Sequence, residues 1–352
     1  MKKSLTKNTE MRLLVIRTSS MGDVALTTPV ITDILKQYPQ IEVTLVTQSA
    51  YGSFFPSIRN LQLLFPDFKK RHKGFYGLFR LFMDIKKQYK IDYVIDLHDV
   101  LRSKFLRWIF KISGIPVVVI DKGRTEKRQV INGEMKIQLK HTAGRYYDAF
   151  ERALFPVHQE NGPWIIPSPE SLEKITVLTG VPGVLNIGVA PYAKHALKIW
   201  PEEYMIRLLN LISEKLKVKF WLFGSKDEYE RLTAFQSKVP SSCLAAGMYS
   251  LDEELALISK LDFMISMDSA NMHMAALSGT KVISIWGGTD PLTGFGAWKQ
   301  PDDYSIRIPV SELTCRPCTI YGKGQCRRGD LACMNWLTPE MVFEKIINLK
   351  II

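Results

Sequence analysis

Short apolar blocks recur along the chain, each followed by a stretch in which apolar positions return every three to four residues. Residues 12–17 read as a buried strand, 18–22 as a loop, 23–38 as a helix and 43–46 as the next strand, a β-α-β start that argues for a parallel sheet. Pro29 falls within the helical pattern and must kink it or mark a late start. Further strands are expected at 61–65, 93–96 and 117–120, with helices near 76–90 and 99–113. A second series starts after Pro182, with strand 185–190, helix 202–216, strand 218–223 and helix 227–237. It continues with strand 263–265, a helical segment carrying His273, and strand 282–286 opening into Gly287 and Gly288. Prolines and glycines punctuate 162–183, which divides the chain into two consecutive α/β domains, 11–175 and 183–337. The remainder, 338–352, reads as a last helix that crosses back to pack on the first domain.

Composition narrows the class. The 352 residues, 46% of them hydrophobic, suffice for two cores, and no apolar run approaches the roughly 20 residues that span a bilayer. The basic start MKKSLTKNTE leads into a strand-like stretch with no apolar signal core, so a cytoplasmic protein is expected. The net charge of +12 calls for an anionic partner. Nucleic acid is the partner with least support, because no helix-turn-helix, zinc-finger or aromatic RNA-binding pattern occurs.

Candidate chemistry concentrates in 265–291, ISMDSANMHMAALSGTKVISIWGGTDP. Asp268, Ser269 and Ala270 fall at the carboxyl edge of a strand and at a helix start, where backbone N–H groups and the helix dipole favour a phosphate. Two α/β domains in series would turn their strand carboxyl edges toward one cleft, the default ligand site. The residues by themselves support a nucleotide-dependent enzyme of unspecified reaction.

Four stretches carry a closer resemblance: RTSSMGDVALTTP at 17–29, LKIWPEEY at 197–204, LFGSKDE at 222–228 and the 265–291 segment. Together, and in this order, they resemble glycosyltransferase family 9, the ADP-heptose:lipopolysaccharide heptosyltransferases. The resemblance implies a GT-B fold with two Rossmann-like α/β/α domains, the first binding the acceptor and the second the nucleotide sugar. It implies inverting transfer of heptose from ADP-heptose to an anionic, lipid-linked lipopolysaccharide inner-core acceptor, without a catalytic cofactor. It also implies a location on the inner face of the cytoplasmic membrane, as a peripheral protein.

Residue by residue, Asp23 of the SMGD stretch resembles the family's general base, which needs a carboxylate in reach of the acceptor hydroxyl. By residue type alone it could instead cap the following helix. Ser19, Ser20 and Gly22 would let the backbone approach the donor. Lys198 resembles the lysine that stabilises the leaving diphosphate, the alternative being a solvated surface lysine. Asp268, Ser269, Ala270 and His273 match a diphosphate motif usually written with glycine at the third position, which Ala270 replaces; His273 could equally be a packing histidine. Tyr249 falls where the family packs a residue on adenine. Gly224 and Ser225 fall near the ribose, with Lys226 in place of an acidic residue some members carry. Thr289 and Asp290 would hold the glycine turn or touch the sugar.

The acceptor is expected on the first domain, where Lys69, Lys70, Arg71, Lys73 and Arg80 interleave with Phe75, Tyr76, Phe79 and Phe82. This stretch reads either as a surface that holds an anionic lipid and leans on the leaflet, or as an ordinary amphipathic helix with snorkelling lysines. Arg102, Lys122, Arg124, Arg128, His141 and Arg145 are further candidates there. Cys315, Cys318, Cys326 and Cys333, one CxxC pair and two followers, point in a reducing compartment to a structural Zn²⁺ in preference to two disulfides. Two other readings stand beside heptosyl transfer: a GT-B transferase with another nucleotide sugar for a different surface glycan, and a non-catalytic nucleotide-binding protein that docks on membranes.

Overall fold

The computed structural model describes residues 10–56 and 58–351, so the basic stretch before residue 10 lies outside the described part. The chain separates into two compact units. The first comprises the residues up to Lys122 and Thr142–Trp164, the second Gly123–His141 and everything from Ile165 onward.

The first unit begins with β1 (Met11–Ile16), whose apolar side chains are covered on both faces as a central parallel strand requires. Where one helix was expected over 23–38 there are two, α1 (Met21–Ala25) and α2 (Thr28–Gln37). Pro29 stands in the first turn of α2, where a missing N–H costs nothing, so the late start is the alternative realised. The order continues with β2 (Ile41–Val46), β3 (Leu61–Leu64), α3 (Gly74–Gln88), β4 (Tyr93–Asp96), α4 (Leu101–Ile112) and β5 (Val117–Val119). After α5 (Arg124–Ile131), which groups with the second unit, α6 (Thr142–Arg152) completes the first. The five strands are parallel in the order β3-β2-β1-β4-β5. Leu78, Leu81 and Ile85 of α3 and Leu106 and Phe110 of α4 form a core with Leu14, Ile16 and Val94 of the sheet. The chain runs outward from β1 on one side and restarts at β4 on the other, which makes the β1/β4 edge a topological switch point.

The second unit repeats the plan. It contains α7 (Pro169–Thr179), β6 (Leu185–Ala190), α8 (Glu202–Lys215), β7 (Val218–Leu222), α9 (Tyr229–Gln236), β8 (Ser242–Leu244), α10 (Leu251–Ser259) and β9 (Phe263–Met267). Then come α11 (Ala270–Leu277), β10 (Lys281–Ile285), β11 (Ser305–Ile306), α12 (Ala332–Asn335) and α13 (Pro339–Asn348). Six parallel strands lie in the order β11-β10-β9-β6-β7-β8, with the switch point between β6 and β9. Both units are thus Rossmann-like, the pair of domains of a GT-B fold.

Two expectations need correction. The last helix groups with the second unit: Val342 and Ile346 of α13 enter the same core as Leu208, Leu209 and Ile212 of α8, and the Trp200 indole N–H donates to Leu337 O at 2.9 Å on the approach to it. Nor does one boundary separate 11–175 from 183–337. The chain crosses between Trp164 and Ile165, and 123–141 also belongs to the second unit. There the Leu139 N–H donates to Leu292 O at 2.9 Å, the Gln138 amide donates to Pro291 O at 2.9 Å, and the Lys127 ammonium lies 4.0 Å from the centre of the Phe295 ring. Among the described residues no helix is long and apolar enough to cross a membrane.

Candidate functional site

At the switch point of the first unit, β1 delivers Arg17 into the interior, where it is 5% exposed. Its guanidinium donates to Leu97 O at 2.7 Å, lies 5.9 Å from the Tyr146 ring centre and reaches the Asp23 carboxylate at 2.6 Å. Burial pulls the Arg17 pKa down, but the charge of Asp23 and its hydrogen bond outweigh it, so the net shift is upward and Arg17 stays charged. Asp23 does not cap α1. Ser20 occupies the cap position, and its hydroxyl donates to Asp23 Oδ2 at 2.7 Å. Asp23 sits in the first turn, where the positive end of the helix favours a carboxylate.

Across the switch point, β4 ends in Asp96, which accepts the His98 and Asp99 N–H groups at 2.9 Å and pairs with Arg107 at 2.8 Å. His98 is thereby presented to the loop after β1, with Nδ1 3.0 Å from the Thr18 hydroxyl and Nε2 3.3 Å from that of Ser19. Burial first, then the Arg17 charge, push the His98 pKa down to about 3, so the ring stays neutral. Gly22 is buried within α1.

The second unit has a corresponding arrangement. Lys198 ends a short turn after β6, and its Nζ is 2.8 Å from Asp268 Oδ2, just beyond β9. The same carboxylate oxygen accepts the Thr289 hydroxyl at 2.8 Å from the turn after β10. The Gly288 N–H donates to Leu197 O at 2.9 Å, so three strand ends converge on one lysine–carboxylate pair. A Cβ at Gly287 would lie 3.0 Å from Leu197 O and overlap the end of the buried Met334 side chain, so any other residue would have to displace Met334 and crowd that carbonyl.

Ser269 heads α11 without capping it; its hydroxyl lies 3.2 Å from that of Ser266. Ser269 and Ala270 are half-buried at that helix start, which carries no side-chain cap. His273 is buried one turn further on. Nearby, the His141 ring centre lies 4.7 Å from that of Trp298 at a tilt of 36°, and the ring bonds Gly296 O at 2.8 Å; burial chiefly pushes its pKa down to about 3, with His273 contributing.

Thr289 and Asp290 hold the turn. The buried Arg316 donates to Gly287 O and Thr289 O at 3.0 Å and pairs with Asp290 at 3.2 Å. Gly224 and Ser225 follow β7, where the Ser225 N–H and hydroxyl donate to Glu228 at 2.7 and 3.0 Å. A Cβ at Gly224 would lie 2.7 Å from Leu232, which gives this glycine a packing role. Tyr249 is half-buried ahead of α10.

The acceptor candidates divide between the units. Lys69, Arg71, Arg102 and Arg145 belong to the first, whereas Arg124 and Arg128 lie on α5 and so belong to the second, contrary to expectation. Arg71 is spent on Asp84, with two bonds of 2.8 and 2.9 Å from one nitrogen, Arg102 lies 4.1 Å from the Phe68 ring centre, and Arg145 is buried in α6.

The structural zinc finds no ligand set. No group of three or more His, Cys, Asp and Glu side chains among the described residues is placed to hold a metal ion. Cys315, Cys318, Cys326 and Cys333 are free thiols; Cys333 packs in the core with α12, and Cys318 points its thiol at Gly288 O, 3.6 Å away.

Arg17, His98 and Arg316 were not anticipated as site residues. Arg17 opens the RTSSMGD stretch, and His98 follows a predicted strand end, so position offered a signal for both; nothing local marks Arg316.

A family model described as "Glycosyltransferase family 9 (heptosyltransferase)" matches residues 78–321. The chain is 25% identical to the lipopolysaccharide core heptosyltransferase OpsX of Haemophilus influenzae over 284 residues, covering 80% of each chain. It is 23% identical to lipopolysaccharide heptosyltransferase 1 of Pseudomonas aeruginosa over 88% of this chain and 86% of the relative. Among solved structures, a family 9 glycosyl transferase from Veillonella parvula aligns with a TM-score of 0.74 at 19% identity, covering 97% of both chains. The E. coli heptosyltransferase WaaC with ADP-2-deoxy-2-fluoro heptose aligns with a TM-score of 0.66 at 19% identity, over 96% of this chain and all of that one.

Proposed function

Because this chain belongs to glycosyltransferase family 9, the heptosyltransferases, we propose that it transfers heptose from ADP-heptose to an anionic, lipid-linked lipopolysaccharide inner-core acceptor. The observation that carries the reading is the Lys198–Asp268 pair beside the α11 start, a cation fixed at a helix N-terminus where a diphosphate would rest. The relatives are named as lipopolysaccharide heptosyltransferases, and a solved relative of like fold is described with a fluorinated ADP-heptose.

The reaction is written as a single displacement with inversion. Asp23 takes the proton of the acceptor hydroxyl, and the oxygen lone pair forms a bond to the anomeric carbon. The bond from that carbon to the β-phosphate oxygen breaks, its electrons leaving with ADP. Lys198, the first-turn amides of α11 and His273 stabilise the charge that gathers on the diphosphate, so the step draws on no cofactor. Gly224, Ser225 and Tyr249 are assigned to the nucleoside, and Ser19, Ser20 and Gly22 to the approach of the donor. The exposed Lys69 and Arg102 are assigned to the acceptor's anionic groups, Arg71 being held by Asp84 and Arg145 buried in α6, and the enzyme is assigned to the inner face of the cytoplasmic membrane.

The test is incubation of the full chain with ADP-heptose and a purified inner-core acceptor, following ADP release and the acceptor's gain of one heptose. Thermal stabilisation by a uridine nucleotide sugar and not by ADP-heptose, with no transfer, would overturn the donor assignment.

A further inference from the structure

The loop Thr18–Ser20, which joins β1 to α1 and so leads to Asp23, is gripped from both sides by side chains that the transfer step leaves without a role. The backbone pairing of β1 reaches as far as Arg17, whose N–H donates to Val46 O at 3.1 Å. Beyond it two side chains take over. On one flank the Gln48 amide, just past β2, donates to Thr18 O at 2.7 Å. On the other, His98, just past β4, brings Nδ1 to 3.0 Å from the Thr18 hydroxyl and Nε2 to 3.3 Å from that of Ser19. Both bonds fall directly ahead of Ser20, whose hydroxyl donates to Asp23 Oδ2 at 2.7 Å.

His98 is fixed in turn. Its N–H donates to the fully buried Asp96 at 2.9 Å, and Arg107 ties Asp96 to Asp99 with contacts of 2.8 and 2.9 Å. The residue is 7% exposed, and with Thr18 it lines a small, mostly apolar cavity to which Ile16, Val46, Leu78 and Leu106 also contribute. A neutral imidazole carries one N–H and one lone pair in the ring plane, so it can donate to one hydroxyl and accept from the other. Burial and the charges of Arg17, Lys122 and Arg102 keep the ring neutral against the pull of Asp23. A ring held neutral in this way is too weak a base to take the acceptor's proton, so its contribution is geometric.

We propose that His98 is a positioning residue for Asp23: with Gln48 it clamps Thr18–Ser20, and thereby fixes the first turn of α1 from which the carboxylate projects. Arg17 anchors that carboxylate from the interior, and the clamp sets its direction. The proposal rests on the transferase reading, in which Asp23 is the base. Loosening the clamp displaces the base and leaves the diphosphate partners of the second unit in place.

The test compares His98→Ala, His98→Asn and His98→Gln in the full chain, with ADP-heptose and a purified inner-core acceptor. His98→Ala should lower kcat by about 10- to 100-fold, with ADP affinity in calorimetry within about twofold of the parent. The amide nitrogen of Asn falls near the place of Nδ1 and that of Gln near Nε2, so each variant keeps one of the two bonds and should restore part of kcat. In an Asp23→Asn background His98→Ala should cost less than about twofold more, because no base is left to position. Hydrogen exchange without substrates should be about tenfold faster at residues 18–23 in His98→Ala, while 93–96 keep the parent's protection. Full kcat in His98→Ala, losses that add in the double variant, or unchanged exchange at 18–23 would overturn the proposal. Where His98→Ala fails to fold, Thr18→Val, which leaves the ring and removes its nearer partner, is held to the same outcomes. Full turnover of Asp23→Asn together with faster exchange at 18–23 in His98→Ala would place the failure in the assignment of the base and not in the clamp.

Discussion

Arg17 and Asp23 form an ion pair of 2.6 Å in which the arginine is almost fully enclosed and a quarter of the aspartate side chain stays open to solvent. The carboxylate is therefore anchored from the inside while part of it can still meet a substrate. Replacing Asp23 by Asn keeps the shape and removes the base. Transfer should fall by about 10²–10⁴-fold, while ADP affinity measured by calorimetry stays within about twofold of the parent. An Asp23→Asn enzyme with full turnover would reject the assignment.

Arg17→Met tests whether the pair is needed for stability, for reaction, or for both. Removing one partner of a largely buried pair costs roughly 3–5 kcal/mol, and the partial exposure of Asp23 places this case near the lower end. The double variant Arg17→Met/Asp23→Asn should regain most of the lost melting temperature without regaining turnover. A double variant as unstable as Arg17→Met alone would mean that Arg17 acts through its bond to Leu97 O and its packing on Tyr146, and not through Asp23.

His98 and His141 lead to a pH prediction. Both have pKa values pushed down to about 3 by burial first, against 6.5 in the unfolded chain. Above pH 6.5 neither state binds the proton, so the full stability is present. As pH falls below 6.5 the unfolded state takes up protons that the folded state refuses, and stability drops by about 1.4 kcal/mol per pH unit for each histidine. Between pH 6.5 and 5 this amounts to roughly 2 kcal/mol each. Denaturant titrations over that range should show the slope, and His98→Gln should remove about half of it. A parent protein equally stable at pH 5 and 6.5 would contradict this account.

Much of the architecture is legible from local pattern. The strands Tyr93–Asp96 and Leu185–Ala190 coincide with the apolar runs that predict them, because a parallel strand covered on both faces leaves an uninterrupted apolar signature. What local pattern could not reveal depends on partners distant in sequence. The two residues of β11 count as a strand only through their pairing with β10. Residues 123–141 join the second unit through contacts such as Leu139 with Leu292. Arg316 reads locally as one more cation in a polar loop, yet it is buried by the carbonyls of Gly287 and Thr289. The candidate site divides in the same way. Asp23, Lys198 and Asp268 stand in recognisable motifs, but that Arg17 grips one and Thr289 braces another follows only from strand ends meeting at the switch points.

Lys198 and Gly322 test the second unit from two directions. Lys198→Met removes the cation and leaves the buried Asp268 with Thr289; donor affinity should fall at least tenfold, and stability by about 3 kcal/mol. Gly322 is far along the chain and carries no functional group, but it stands at φ +80°, and a Cβ there would lie 2.7–3.0 Å from the Lys198 side chain. Gly322→Ala must therefore strain its own backbone and push the lysine off its place beside Asp268. The expected result is a several-fold weaker donor affinity in calorimetry with ADP, at a stability loss of about 1–3 kcal/mol. In a Lys198→Met background the affinity effect should vanish, since no lysine is left to displace, while the stability cost persists. Additive losses of ADP affinity in the double variant would show that Gly322 acts on the site by a route other than Lys198.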